Sequence, residues 1–354
     1  MSHEFSGHIY IFQSFDIGDA IDLELVKRED LVQHRPLQLS KYFKNYHIPL
    51  EIELPHETPE SEQCISAKLH HFGVITLRYK IPFTSSLETL RTKINEIEDR
   101  YEESSIKDAF AIFKNIQRAM GKAHFFLLKK SYLLIQVDTI GALSSKDFLE
   151  QYGEMIASTL RFETETLSEY KKNEILQNAF GYYRGDLIII DVDAAFVYDE
   201  EYEELLDLFE FVNMQHLELQ AFDKLLDDKL GTAYREARPL SIFTYLPLWG
   251  TVNVNRVGEL GNLKVDISVI VERLENSIKL TGEPYYTELY EALTSTLDLK
   301  MWKESIEKKL AIIHDISDVF EGQIRTVRED IFNVLIVILI FVECMVAIMH
   351  YLKY

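Results

Sequence analysis

The hydrophobic and polar positions of this chain change rhythm along its length, and each rhythm predicts a different element. Near the N-terminus the apolar runs are short: Ile9-Tyr-Ile-Phe12 reads as a buried strand and Phe15-Asp-Ile-Gly-Asp19 as a turn leading out of it. Pro36, Pro49, Pro55 and Pro59 exclude a long helix from the next stretch, because a proline inside a helix costs about 3 kcal/mol. Cys64 to Ile81 alternates as a strand pair bent near Gly73. Ser85-x-x-Glu88 is a capping box, and Leu87, Leu90, Ile94, Ile97 and Tyr101 then recur at helical spacing. A second helical stretch carries Phe110, Phe113 and Ile116. His124 to Val137 predicts a hairpin whose two apolar runs join around Lys129-Lys-Ser131. Ser144-x-x-Asp147 opens another helix, and Leu187-Ile-Ile-Ile190 marks a buried strand within Tyr182 to Tyr198. A long helix follows from Asp199 to Leu230, with Gly231 as its C-cap.

Beyond the proline-containing stretch Pro239 to Trp249 the pattern becomes helical throughout. Val257 to Leu280 forms one helix, stopped by Gly282 and Pro284, and Tyr286 to Leu297 forms another. The last helix begins near Met301. Its apolar stripe (Trp302, Ile306, Leu310, Ile313, Ile316, Phe320, Ile324, Val327, Ile331) keeps the period of a straight helix rather than a strict heptad. Such a stripe either packs on the chain's own helices or forms an oligomer seam, and Trp302, Ile306, Ile313 and Phe320 are the seam candidates. Strands interleaved with helices, followed by helices alone, make the fold class α+β. The expected division is an α+β soluble domain over 1–250, a helical hairpin or stalk over 251–330, and a transmembrane helix over 331–352.

That terminal helix changes the picture most. Ile331 to Met349 is broken only by Asn333 and Glu343, has no amphipathic face, and as a helix would be roughly 28 Å long, about the thickness of a hydrocarbon core. Lys308, Lys309, Arg325 and Arg328 precede it and only Lys353 follows. Cations stay on the cytoplasmic or matrix side, so residues 1–330 are expected there, on a tail-anchored chain. Glu343 lies near one end of the run. Either it snorkels, or it is protonated or hydrogen-bonded across a helix–helix contact that favours self-association.

Composition narrows the function. With 37 Lys+Arg against 58 Asp+Glu the net charge is −21, which disfavours direct nucleic-acid binding and suits a basic protein partner. Two cysteines, Cys64 and Cys344, make neither a disulfide framework nor a zinc module. The acidic first thirty residues match neither a secretory signal nor a mitochondrial transit peptide. Phosphate-loop, dinucleotide, zincin and nucleophile-elbow motifs are absent. His70 and His71 are adjacent, so on a strand they point to opposite faces and share a metal poorly. The sharpest enzyme-like feature is Asp191-Val-Asp193 after Ile188-Ile-Ile190, because an apolar strand ending in D-x-D can present two carboxylates to a divalent cation. Ala195 departs from the haloacid dehalogenase pattern, and the plainer reading leaves both acids on one exposed strand face. Asp199 to Glu210 holds seven acids and no base, most simply a solvated helix start.

Several segments together resemble the "required for meiotic nuclear division" family. Gly258-Glu-Leu260, Glu283-Pro-Tyr-Tyr286, Glu288-Leu-Tyr290 and the IVILIFVECMVAI span, with Glu343 at its acidic position, carry the likeness. Tyr10-Ile-Phe-Gln-Ser-Phe-Asp16 and His71-Phe-Gly-Val-Ile75 resemble that family's opening strand and its F-G-V strand. The resemblance implies a non-enzymatic, membrane-anchored protein that self-associates. Eukaryotic members reside in mitochondria, where one supports translation by tethering ribosomes to the inner membrane. It lends no catalytic residue and no cofactor. The expectation is therefore a non-enzymatic homo-oligomeric scaffold or tether on a lipid bilayer, in a bacterial inner membrane rather than a mitochondrial one. The alternative is a membrane-tethered, metal-dependent phosphoryl or glycosyl transfer enzyme using Asp191 and Asp193.

Overall fold

The computed structural model describes residues 3–18, 20–37, 48–55, 57–121, 123, 125, 128–139, 144–181, 185–236, 261–272 and 284–352. The chain folds as two compact units, residues 1–221 with 271–303, and 222–270 with 304–354. The boundary expected at 250/251 lies outside the described residues.

The first unit is built on a sheet whose strands run in the spatial order β2-β3-β4-β5-β1-β6-β9-β8-β7. These are β1 (Phe5–Asp16), β2 (His34–Arg35), β3 (Leu50–Ile52), β4 (Cys64–His70), β5 (Val74–Ser85), β6 (Lys129–Val137), β7 (Ala179–Phe180), β8 (Leu187–Ile190) and β9 (Ala194–Tyr198). Neighbours pair antiparallel except β6 and β9, which run parallel. The central strand β1 is paired over all twelve residues with β5 and over nine with β6. Gly73, between β4 and β5, has φ 96°, a left-handed value that glycine adopts without Cβ strain.

Alternation along β1 sends Ile9, Ile11 and Phe15 to one face, into a core with Leu77, Leu133, Ile135 and Phe196. Helix α2 (Leu87–Ile116) and helix α3 (Ser145–Leu160) cover that face with Leu90, Ile94, Ile112, Phe148 and Ile156. Helix α4 (Glu169–Leu176) adds Ile175. On the opposite face, α5 (Glu203–Glu236) lies against Tyr10, Phe12 and Tyr132; Tyr132 stacks on Phe209 at 5.8 Å. A short α1 (Leu23–Arg28) joins β1 to β2. Residues 261–272 form α6, and α7 (Pro284–Thr296) reaches α5 through Tyr286 Oη to Glu204 (2.8 Å) and Tyr290 Oη to Gln215 (3.1 Å).

Several expectations need correction. The His124–Val137 hairpin is not formed at Lys129-Lys-Ser131: those residues belong to β6, paired with Phe15, Ser14 and Gln13. Long β1 offers a full ladder partner, which wins over a local turn lacking glycine or asparagine. The cap of α2 is Ser86, accepting from the Thr89 amide, not Ser85, and α2 runs unbroken through Phe110 and Ile116. Gly231 does not end α5, which continues to Glu236. The Ser144 cap accepts from the Asp147 amide as its spacing predicted. Gly258-Glu-Leu260, Pro239 to Trp249 and Glu283 lie outside the described residues.

The second unit contains the C-terminal part of α5, most of α6 and α8 from Glu304 onward, α8 being Leu299–Tyr351. Leu226, Leu230, Ile267, Ile306, Leu310 and Ile313 are buried there, and Lys309 Nζ sits 2.8 Å from Asp223 Oδ1 and 2.7 Å from Asp227 Oδ1.

Candidate functional site

Charged chemistry collects at two places in the first unit, both created by strands delivering polar side chains to helix surfaces. The first is the β8–β9 turn. Ile188-Ile-Ile190 is completely buried, so the chain must reverse at Asp191-Val192-Asp193; the Asp191 amide closes the turn on the Ala194 carbonyl at 2.9 Å. The two acids do not share an exposed strand face. Asp191 is 3% exposed, and its Oδ2 lies 2.5 Å from Arg161 Nε, whereas the half-exposed Asp193 pairs with Lys130 Nζ at 3.2 Å. Both acids line one cleft, each with a different cationic partner.

Arg161 is placed by the end of α3. Phe162 takes φ 57°, the Phe162 amide bonds Thr159 O at 3.0 Å, and the Glu163 amide returns to Ser158 O at 3.0 Å, the pattern of a Schellman ending. A bulky residue in the left-handed region stores strain that the neighbouring structure must hold. Asn95 Nδ2 does part of this, donating to Phe162 O at 3.1 Å. Around this ending lies a cleft of about 460 Å³ lined by Leu160, Arg161, Phe162, Glu163, Leu167, Lys171, Asp191 and Asp193. Burial raises the Asp191 carboxyl above its ordinary range, against the pull of Arg161 and the Val192 amide. Among the described residues no group of three or more His, Cys, Asp or Glu side chains is arranged to hold a metal ion. Asp191 and Asp193 have cationic side chains as neighbours instead, so a divalent ion would compete with both.

The second place is the face of β4 and β5 beneath α5. Lys68 and Arg78 meet Asp207 and Glu210 there, all largely buried: Lys68 Nζ is 2.9 Å from Glu210 Oε2, and Arg78 Nη2 is 2.7 Å from Asp207 Oδ1 and also bonds Glu210. Thr76 Oγ1 donates to Glu210 Oε1 at 2.7 Å, and His70 Nε2 lies 3.1 Å from that hydroxyl. Burial alone would raise the Glu210 carboxyl, but Arg78 and Lys68 outweigh it and hold the group far below its usual range. Burial takes His70 down to about 3, so it is neutral at physiological pH. Asp207 and Glu210 belong to the acidic run read as a solvated helix start; the correction is that its sheet-facing acids are internal counter-ions. No local signal distinguishes them from Glu203 or Glu204.

The candidate membrane and oligomer residues scatter. Trp302 is half-buried, its ring 6.3 Å from that of His216, and Ile306 and Ile313 are buried within the chain's own second unit. Phe320's side chain lies outside the described residues, and Glu343 sits exposed on α8. Ile331–His350 is the one helix segment among the described residues long and apolar enough to cross a membrane, with mean hydropathy 2.9 and none of it buried.

A family model described as "Uncharacterized protein MJ0711, N-terminal domain" matches residues 6–204, more than half of the chain. The chain belongs to the MJ0711 N-terminal domain family. The uncharacterized protein MJ0711 of Methanocaldococcus jannaschii is 26% identical over 306 residues, covering 81% of this chain and 92% of that protein. No solved structure matches. These matches carry an uncharacterised family and do not support the meiotic nuclear division name. The cleft around Arg161 lies inside the matched segment, whereas Asp207 and Glu210 lie just beyond it. The sheet's buried cations therefore find their counter-ions outside the family match.

Proposed function

We propose that this chain is a non-enzymatic membrane-anchored scaffold: α8 crosses the bilayer once, and the acidic body works on the side where Lys308, Lys309, Arg325 and Arg328 remain. The observation that carries this reading is Ile331–His350, twenty residues of mean hydropathy 2.9, none of it packed against protein. In water such a surface far exceeds the few hundred Å² of contiguous apolar patch that a soluble monomer tolerates. Lipid is the solvent that matches it, as a helix satisfies its own backbone donors there. The archaeal relative favours the cytoplasmic face of a prokaryotic membrane over a mitochondrial matrix. A body of charge −21 attracts a basic protein partner, and self-association of α8 would present several such bodies together.

Two observations support a non-catalytic body: Asp191 is ion-paired to Arg161, and Asp193 to Lys130. The test is alkaline carbonate extraction of membranes holding the full chain, followed by native mass measurement of the detergent-solubilised complex. Retention in the pellet and a mass of two or more copies are expected. Release to the supernatant overturns the anchor; a monomer with no co-purifying protein overturns the scaffold.

A further inference from the structure

We propose that the cleft between the end of α3, α4 and the β8–β9 turn binds a small organic anion, a carboxylate or phosphate monoester carried on an apolar or aromatic body. Its volume of about 460 Å³ falls within the range of small-molecule sites. Arg161 is prepared as an anion receptor. The buried Asp191 carboxylate is ion-paired to its Nε at 2.5 Å, and the arginine side chain stays 30% exposed.

The two cations of the cleft already have an anionic neighbour in common. Arg161 Nη2 lies 4.0 Å, and Lys171 Nζ 2.6 Å, from one and the same atom, Glu174 Oε1. Arg161 and Lys171 both line the cleft, whereas Glu174, three residues along α4 from Lys171, does not. A partly exposed glutamate on a flexible stem thus holds Lys171 from outside the cleft. Exposed pairs of this kind are worth little, so a ligand that adds apolar contact displaces it readily. Leu160, Phe162 and Leu167 supply that contact. The lining carries two cations, Arg161 and Lys171, and three acids, Glu163, Asp191 and Asp193, so the pairing of those acids and not their number disfavours a cationic ligand. Asp191 and Asp193 are engaged by Arg161 and Lys130, so a cation would compete with a guanidinium and an ammonium. An anion competes with Glu174 at Lys171 and with Asp191 at Arg161.

The experiment titrates the full chain in detergent micelles calorimetrically with phenyl phosphate, inorganic phosphate and manganese, and does not depend on which solvent surrounds α8. Phenyl phosphate is expected to bind more tightly than inorganic phosphate. Glu174→Gln, which removes the internal competitor, should tighten it roughly threefold to fivefold, and Lys171→Gln should weaken it about tenfold. Both side chains are only partly buried, at 39% and 38% exposure, and the substitutions should leave the melting temperature nearly unchanged. Absence of phenyl phosphate binding to both the unmodified chain and Glu174→Gln overturns the proposal, as does unchanged affinity in Lys171→Gln. Equal affinity for the two phosphates also overturns it, because the apolar body is part of the proposed ligand. Manganese binding that Asp193→Asn abolishes makes the cleft a cation site instead, and also overturns it.

Discussion

Both faces of the central sheet are buried, but one is apolar and the other adds a charged cluster to its aromatic residues Tyr10, Phe12 and Tyr132. Toward α2 and α3 it presents Ile9, Ile11, Leu77, Leu133, Ile135 and Phe196; toward α5 it presents Lys68, His70, Thr76, Arg78 and Gln136. On the first face stability grows with apolar area, about 25 cal/mol per Å², and each residue contributes largely by itself. On the second, two cations and two carboxylates balance to zero charge, and each is tolerable only while its partners stay. The apolar face therefore degrades gradually under substitution and the polar face abruptly. Apolar residues surround the cluster as well: Leu206, Phe209, Val212 and Leu217 of α5 are buried, so α5 is core and not a detachable cover.

The largest effect expected follows from removing the most connected charge. Glu210→Gln leaves Lys68 and Arg78 desolvated beside Asp207 alone and should lower the unfolding free energy by about 3–5 kcal/mol in denaturant titration. A loss below about 1 kcal/mol would mean that water reaches the cluster, and the contrast between the faces would fail.

Next comes the pH dependence. His70 sits beside Thr76, with Glu210, Lys68 and His71 nearby, and burial takes its pKa down to about 3. The unfolded chain binds a proton there below about pH 6.5 and the folded chain does not, so stability falls as pH drops from about 6.5 toward 4, by roughly 3 kcal/mol. Glu210 has the same sign but a lower window: its depressed folded pKa gives stability that is full above its unfolded value near 4.3 and lost beneath it. Burial raises the carboxyls of Asp108, Asp191 and Glu218, which act in the opposite direction, so the measurement is the difference between the unmodified chain and His70→Asn. That difference should shrink on acidification as the unmodified chain loses its advantage; a pH-independent difference would show that His70 does not titrate on unfolding.

The smallest effect belongs to the apolar face. Ile135→Val, at a fully buried position of β6, should cost about 1 kcal/mol, with an unchanged slope against denaturant. A cost near that of Glu210→Gln would erase the proposed difference between graded and abrupt failure.

Much of this fold is legible residue by residue. Ile188-Ile-Ile190 declares a buried strand, Ser144 caps its helix at the predicted amide, and Leu87, Leu90 and Ile94 stripe α2 as their spacing requires. The β6 misreading has a physical source: Lys129, Lys130 and Ser131 look like a turn until β1 supplies ladder partners from over a hundred residues away. Glu210 looks like its neighbour Glu204 until Lys68 and Arg78 arrive from β4 and β5. At the cleft the D-x-D spacing reads as a strand end, and neither the turn there, nor Arg161, nor the different partners of the two acids is written in that spacing.

The sequence by itself determined the α+β character, the strand and helix periods, and a terminal helix whose surface is greasy all round, because period and hydropathy are properties of neighbouring residues. Only the tertiary structure decided which charges are internal, that Asp191 holds Arg161, and that Ile306 and Ile313 pack within the chain while Ile331–His350 stays bare. Coulomb and packing terms depend on distances between residues far apart in sequence, and those distances exist only once the strands have found their order.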